Sequence, residues 1–224
     1  MEFSPNGTRY VQNRAAALHR ECNQLISSVI IMLAVDEQLA TELLAMKAED
    51  LRVRDALARD GSLFEGYHPR MEEVHRRNAA RLREIIAERG WPGQLLVGQQ
   101  AMEAAWMIVQ HDIAEPQFLR DMLEIFRKEA ARGELPAKWA ALTEDRIRMY
   151  EGRPQLYATN MNWNERGELV IGEVEVPERL NQRRAAVGLP PFRDPGTPPD
   201  QPPLKNPQEF YRRYVEWLQR VGWR

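Results

Sequence analysis

The residues of this chain that could do chemistry are polar side chains lying inside otherwise apolar helical patterns. Gln110 and His111 stand near the end of one apolar stretch, Val97 to Ile113. An unperturbed imidazole has a pKa of about 6.5, so His111 can act as a general acid or base near neutral pH. The sequence therefore predicts a functional site at the end of this stretch.

Two further polar residues lie where a helix places its apolar side chains. Arg146 shares a helical face with Leu142 and Tyr150, and Asn78 falls inside the apolar stripe of an earlier helix. A buried guanidinium must be paired, and a buried amide needs hydrogen-bond partners. We predict that Arg146 pairs with Asp145 or with an anionic group of a ligand.

We predict that a single pocket gathers such residues from several helices and a hairpin. The predicted catalytic residues are His111, Tyr157 and Asp145. The predicted substrate-binding residues are Asn78, Gln110, Arg146, Gln155, Thr159, Asn181 and Arg184. In this hypothesis His111 transfers protons, an arginine binds a carboxylate or phosphate, and Tyr157 orients a carbonyl or hydroxyl group. Such a pocket suits hydrolysis, elimination or isomerisation of a small polar, anionic molecule.

Spacing along the chain does not predict a metal or cofactor. No HExxH motif occurs among the four histidines, although His68 and His75 could converge with His111. Glycine motifs for dinucleotides or triphosphates and the GxSxG elbow are absent from the sequence. We therefore expect metal-independent acid–base chemistry with no cofactor.

Structural explanations for the same residues remain open. A histidine at a helix C-terminus can simply bond to exposed carbonyls, and Asp145, Arg146 and Arg184 can form a buried ion network. The ordinary interpretation of Asp50 and Arg54, four residues apart, is a surface salt bridge. The alternative function is a non-catalytic binding or assembly protein that uses its N-terminal and C-terminal helices.

The composition bounds the class of protein. The 224 residues carry a formal net charge of −2, which gives no basic field to attract nucleic acid. Cys22 is the single cysteine, which excludes an intrachain disulfide and favours a reducing cytosol. The longest apolar run, Leu25 to Val35, is too short to cross a bilayer. We expect a cytoplasmic protein with neither nucleic acid nor membrane as a partner.

The apolar periodicities predict a mainly α fold, a compact multi-helix bundle with one small β-hairpin, a Pro-rich linker and a C-terminal amphipathic helix. Predicted helices cover about 37–59, 70–88 and 98–111, and further helices begin at Pro116 and Pro136. The predicted hairpin covers about 155–176, with Leu156, Tyr157 and Thr159 as β-type residues and a turn at 164–167.

Three segments are predicted along the chain. Residues 1–36 form an N-terminal helical extension with a heptad-like seam, and 37–192 form the helical core domain. Residues 193–224 comprise the Pro-rich linker and a last helix that docks on the core. Either terminal helix could instead hold a partner or form a homodimer.

The core segment resembles a bacterial family catalogued as domain of unknown function 6624, over about residues 37–192. The matching elements are Asp50 and Arg54, Asn78, Gly90-Trp91-Pro92, Val97-Gly98, Gln110-His111, Asp145-Arg146, Gln155 with Tyr157 and Thr159, Asn181 through Arg184, and Gly188-Leu189-Pro190. The resemblance groups these polar residues together, and the family name implies no particular activity.

Departures from the family pattern concern the same region. The family tends to read Gln-His-Ala-Asp where this chain has 110–113 Gln-His-Asp-Ile, and Tyr-Gly-Thr-Gln where it has 157–160 Tyr-Ala-Thr-Asn. Leu51 and Leu119 stand where glutamines are common in the family. If those glutamines touch a ligand in relatives, this protein binds something different or less polar, or has lost activity.

Overall fold

The computed structural model describes residues 35–196, 204 and 206–224. The predicted N-terminal helical extension, its seam and Cys22 lie outside the described residues. In the described part the α-helices are α1 (Glu37–Asp60), α2 (Pro69–Arg89), α3 (Gln94–His111), α4 (Pro116–Ala131), α5 (Ala137–Glu151), α6 (Leu180–Ala186) and α7 (Pro207–Val221). Two strands, β1 (Met161–Trp163) and β2 (Leu169–Ile171), and two short 3-10 turns, Ser62–Glu65 and Pro177–Arg179, complete the fold. The predicted mainly α class with a small hairpin is confirmed.

Local sequence signals set the helix boundaries. The Asp36 carboxylate accepts a hydrogen bond from the Leu39 amide at 2.9 Å and caps α1. At the other end Gly61 has a φ of 83°, a left-handed conformation that ends the helix. The Asn206 side chain caps α7 by accepting from the Glu209 amide. These caps explain why the predicted boundaries lie close to the observed ones.

Helix α3 is the centre of the core. Its small residues Ala101, Ala104 and Ala105 are fully or almost fully buried, so neighbouring helices approach its backbone closely. It packs against α1, α2 and α4, and α5 packs against α4. Gly98 is non-helical, with φ 76° and ψ 164°, so the first turn of α3 is kinked against the rest. The chemistry described below lies at the opposite end of α3.

The hairpin is shorter than predicted. Strands β1 and β2 pair antiparallel, with Met161 opposite Ile171, around the predicted turn at 164–167. Leu156, Tyr157 and Thr159, predicted as strand residues, lie in a loop instead. Their backbone amides donate to the Asp145 carboxylate, so a buried side chain takes the place of a partner strand.

Helix α7 returns to the core after the Pro-rich linker. Trp217 and Leu218 are buried in the main hydrophobic cluster. Two residues after the helix, the Trp223 indole donates to the Ile113 carbonyl at 2.8 Å. The C-terminal half of α7 is therefore anchored in the protein's own core, whereas Phe210 and Tyr214 stay partly exposed. Among the described residues no helix has both the length and the apolarity needed to cross a bilayer.

Candidate functional site

Three side chains from three helices meet at the end of α3. They are Asp50 of α1, His75 of α2 and His111, the last residue of α3, and we call them the Asp–His–His cluster. The Asp50 Oδ2 atom lies 2.8 Å from His111 Nδ1 and 3.4 Å from His75 Nε2. The two imidazole rings are 5.3 Å apart between centroids. One carboxylate oxygen thus lies between two imidazole nitrogens.

The outer side of this cluster is held by Tyr67. Its hydroxyl is hydrogen-bonded to His75 Nδ1 at 2.8 Å, which fixes the ring and directs Nε2 toward Asp50. The 3.4 Å contact between His75 Nε2 and Asp50 Oδ2 is not a hydrogen bond, and both His75 Nε2 and Asp50 Oδ1 are buried without a partner among the described residues. Buried polar atoms without partners are uncommon in folded proteins.

Burial and the neighbouring side chains act in opposite directions on the pKa of Asp50 and on the pKa of His111, and both pKa values end below their usual ranges. Burial raises the pKa of Asp50, but the adjacent His111 and His75 lower it by more, so that it lies well below its usual range. Burial lowers the pKa of His111, against the opposing effect of Asp50. Asp50 is therefore ionised, and His111 is neutral and able to accept a proton near pH 7.

The cluster opens into a cavity of about 920 Å³, which we call the central cavity. His75, His111 and Arg146 are among its lining residues, and six α7 residues form one wall. The side chain of His111 is 24% exposed, so the cavity is accessible to it. Arg146 donates from Nη1 to the Gln110 carbonyl at 2.8 Å, while its Nε is buried with no partner among the described residues.

Positive charge dominates the lining of the central cavity. Its charged residues other than histidine are Arg54, Arg146, Arg213, Arg220, Glu65 and Glu216. Glu216 is paired with Arg212, and Arg213 with Glu209. Within the described residues no carboxylate lies in ion-pair distance of Arg54, Arg146 or Arg220. These side chains can therefore receive an anion.

A second buried polar group, which we call the Asp145 network, surrounds the loop at 155–160. Asp145 is fully buried and accepts hydrogen bonds from the amides of Leu156, Tyr157 and Thr159 and from the Thr159 hydroxyl. Burial raises the pKa of Asp145, and these donors oppose the rise. Its acceptor capacity is used by the loop, and Asp145 does not line the central cavity.

Gln155 and Arg184 belong to the same network. Gln155 accepts from the Thr159 and Asn160 amides and donates to the Asn160 carbonyl. Arg184 donates to the carbonyls of Pro190 and Tyr157. Gln155 also borders a separate cavity of about 650 Å³ beside the hairpin, where its amide is already engaged. Gln155 therefore holds the loop in its fold, and Arg184 ties the loop to α6.

The remaining predicted site residues also have structural partners. The Asn78 amide donates to the Met46 carbonyl and joins α2 to α1. Gln110 donates to the Thr143 hydroxyl at 2.6 Å and joins α3 to α5. The exposed Asn181 accepts from the Phe192 amide.

The central cavity therefore gathers only some of the residues predicted to share one pocket. Of the predicted residues, the structure brings His111 and Arg146 to the central cavity and leaves the others outside its lining; these are Asn78, Gln110, Asp145, Gln155, Tyr157, Thr159, Asn181 and Arg184. The predicted Asp145–Arg146 pair does not form, because the Asp145 carboxylate faces the 155–160 loop and Arg146 faces the end of α3.

Asp50 and Tyr67 were missed as site residues, and His75 was considered only as a residue that could converge with His68 and His111 on a metal. The surface salt bridge predicted for Asp50 and Arg54 does not exist, since Asp50 is fully buried against the histidines. A signal was present in the sequence: Asp50 follows Leu43 by seven and precedes Leu57 by seven, on the buried stripe of α1. His75 likewise lies on the buried face of α2, and Tyr67 gave no comparable signal.

A sequence profile described as Family of unknown function (DUF6624) matches residues 37–195. The chain belongs to this family. No curated protein and no solved structure matches the chain. The Asp–His–His cluster and Arg146 lie inside the family region, whereas α7, which forms a wall of the central cavity, lies beyond it.

Proposed function

We propose that the central cavity binds a small anionic molecule and that the protein is an enzyme whose proton transfer depends on His111. The observation that carries the proposal is the Arg146 guanidinium, which lines the cavity beside His111 with a buried Nε that no described residue satisfies. A carboxylate or phosphate would supply the missing acceptor. Asp145, the first partner predicted from the sequence, does not supply this acceptor, because its carboxylate faces the 155–160 loop. The second predicted partner, an anionic group of a ligand, therefore remains.

The Asp50–His111 pair supports acid–base chemistry. The hydrogen bond that His111 Nδ1–H donates to the Asp50 carboxylate fixes the ring and leaves Nε2 as the proton-transferring atom. Because the pKa of His111 is lowered, the ring begins in the neutral form and can remove a proton from a bound substrate or water. Hydrolysis, elimination and isomerisation all begin with such a step. Tyr157 and Asp145 have no part in this proposal.

The lining also indicates the rest of the ligand. Apolar and aromatic residues line the cavity together with the arginines, among them Met71, Met107, Tyr67 and Tyr150. Leu51, which stands where a glutamine is common in relatives, lines the same cavity. We propose a ligand with an anionic group and a less polar body.

Binding of simple anions tests this proposal. Isothermal titration with a panel of carboxylates and with inorganic phosphate, in the presence of a chelator, should give binding that Arg146→Ala weakens about 10- to 100-fold, as expected for loss of a charge-assisted hydrogen bond. Arg132→Ala is the matched control, because Arg132 is 69% exposed and pairs with Glu129 away from the cavity. A panel without binding, or equal weakening in both variants, would refute the proposal.

The alternative is an assembly protein that uses its terminal helices. It draws less support, because Trp217 and Leu218 of α7 are buried in the core, and the N-terminal seam lies outside the described residues. A homodimer through either helix stays a prediction, which sedimentation of the full chain tests. The protein's cellular function can be compared in the His111→Ala variant and in a variant that lacks residues 1–34. If the first variant kept that function and the second lost it, an assembly function would replace the proposed enzymatic function.

We further propose that the protein acts in the bacterial cytoplasm, without nucleic acid or membrane as a partner. The single Cys22 and the net charge of −2 support this proposal. Fractionation of bacterial cells tests the compartment, and recovery in the periplasm would contradict it.

A further inference from the structure

We propose that Asp50, His75 and His111 bind a divalent transition-metal ion. The inference deepens the proposed function, because it names a cofactor for the same site, and it rests on the central cavity being the reaction site. It replaces the metal-independent chemistry expected from the sequence. That expectation depended on the absence of a metal-binding motif along the chain, which says nothing about residues that the fold brings together.

The separation of the three side chains fits one ion. Each offers one ligand atom, and these atoms lie within 4.8 Å of one another. Ligand atoms at about 2.0–2.2 Å from a tetrahedral ion lie roughly 3–3.6 Å apart. The observed 2.8 Å and 3.4 Å from Asp50 Oδ2 to the two histidines are close to that range. Small side-chain movements would therefore complete the coordination.

The unsatisfied atoms give an independent reason. His75 Nε2 and Asp50 Oδ1 are buried without partners, in residues that are 7% and 0% exposed. If the Tyr67 hydroxyl accepts from His75 Nδ1, then Nε2 presents a lone pair to the Asp50 carboxylate, and the two repel. If Tyr67 donates instead, the Nε2 proton makes no hydrogen bond. A cation between the two groups would give His75 Nε2 a partner in the first arrangement and remove its repulsion with the Asp50 carboxylate.

Tyr67 holds His75 as a partner residue commonly holds a metal-binding histidine. Such histidines donate a hydrogen bond from the N–H of their second ring nitrogen to an oxygen, which fixes the ring orientation and the tautomer. The hydrogen bond of 2.8 Å between Tyr67 and His75 Nδ1 is of this kind in the first of the two arrangements, where His75 Nδ1–H donates to the Tyr67 oxygen. We therefore assign Tyr67 a positioning role.

The ligand types select the class of ion. Two imidazole nitrogens and one carboxylate oxygen suit Zn²⁺, Fe²⁺ or Co²⁺, whereas Mg²⁺ and Ca²⁺ prefer oxygen ligands throughout. None of the three described ligands is a thiolate, the donor that Cu⁺ prefers. Three protein ligands leave coordination positions unused, which is typical of catalytic rather than structural sites.

The open side of the cluster is the central cavity, which His75 and His111 line. A ligand anion held on Arg146 would therefore lie beside the ion. With the ion bound, His111 serves as a ligand, and the proton-transferring group is water on the ion, whose pKa Zn²⁺ lowers to about 7 in catalytic sites. The arginines that bind the anion are the same with and without the ion.

Titration of the full chain with Zn²⁺ and Co²⁺ after removal of bound metal tests the inference. We expect one ion per chain by calorimetry, and a visible ligand-field spectrum with Co²⁺. His75→Ala and His111→Ala should each reduce the affinity at least 100-fold and abolish the spectrum. Tyr67→Phe should reduce the affinity about tenfold without abolishing the spectrum, as expected for an outer partner.

His68→Ala is the matched control. His68 also lines the central cavity, but it caps α2 by accepting from the Arg70 amide and lies outside the cluster. This variant should bind the ion like the wild type. The Asp50 carboxylate is tested by Asp50→Ala, which should also reduce the affinity for the ion. If that variant fails to fold, Asp50→Asn keeps the side-chain shape, removes the charge and should reduce the affinity as well. No binding by the wild type, or equal binding by the folded His111→Ala and His68→Ala variants, would overturn the inference.

The two proposals can fail separately. Anion binding is measured with a chelator present, so it reports on Arg146 whether or not an ion binds. Arg146-dependent anion binding without metal uptake would remove the metal and leave the proposed function. Metal uptake without anion binding would refute the proposed anionic ligand and leave the metal site.

Discussion

The Asp145 network and the Asp–His–His cluster are built from similar materials but differ in how completely their hydrogen bonds are satisfied. Both centre on a fully buried aspartate. Asp145 accepts from three amides and a hydroxyl, and every donor belongs to the loop that it folds. Asp50 has two histidines beside it and one oxygen without a partner, and both histidines line the central cavity.

This difference separates architecture from chemistry. A buried polar group whose partners are all supplied by the protein stabilises a conformation and has no capacity left for a ligand. A group with unsatisfied atoms beside a cavity carries a free-energy penalty that a ligand can remove. Sequence patterns alone placed members of both groups in one predicted pocket.

The largest expected effect on stability is at Asp145. Asp145→Ala would leave three amides and a hydroxyl of the 155–160 loop without their acceptor and open a gap at a fully buried position. We expect the free energy of unfolding to fall by about 3–5 kcal/mol. Urea unfolding followed by circular dichroism measures this. A loss under about 1 kcal/mol would mean that the loop does not depend on the carboxylate, and the comparison would fail.

Asp112 extends the comparison to a carboxylate with no partner. It is fully buried, neither oxygen has a partner among the described residues, and burial, with the nearby Glu115, raises its pKa to about 7. The folded state therefore keeps a proton that the unfolded state releases near pH 4, so this group's contribution to stability falls as the pH rises from about 4 to 7. Asp112→Asn should remove that fall.

We expect Asp112→Asn to be about 2–4 kcal/mol more stable than the wild type at pH 8, with much less difference at pH 4.5, because one pKa unit corresponds to about 1.4 kcal/mol. Unfolding in urea at both pH values, with a chelator present, measures the effect. The exposed Asp121→Asn is the control and should show no such pH dependence. An equal difference at the two pH values would contradict the assignment.

Arg184 and Arg146 allow the same substitution to be compared in the two regions. Arg184 is 9% exposed and donates to the Pro190 and Tyr157 carbonyls. Arg184→Ala would leave both without this donor, and we expect a loss of about 2–3 kcal/mol in the free energy of unfolding. Anion affinity of the folded variant should stay within about twofold of the wild type. A large loss of anion affinity would instead support the original prediction that Arg184 binds the ligand.

The smallest expected effect on stability is at Arg146. It makes one hydrogen bond, to the Gln110 carbonyl, beside a cavity that water can enter. We expect Arg146→Ala to change the free energy of unfolding by less than about 1 kcal/mol, although it weakens anion binding. Thermal unfolding without ligand tests this. A destabilisation equal to that of Arg184→Ala would make Arg146 part of the structural frame.

The sequence by itself determined the local structure. The apolar periodicities, the helix starts at Pro116 and Pro136 and the turn at 164–167 placed the helices and the hairpin turn close to where the structure has them. These features depend on residues only a few positions apart, so short-range physics decides them. Periodicity also identified Arg146 as a polar residue on an apolar face, and His111 was identified as a polar residue at the end of an apolar stretch.

The tertiary structure alone decided which polar faces meet. Asp50 and His111 are 61 residues apart, and nothing in the spacing of either helix indicates that their faces pack together. The same packing turned Asp145 toward the 155–160 loop and away from its neighbour Arg146. A helical pattern shows which side chains share one face, whereas the partner of that face depends on how all the helices pack around α3.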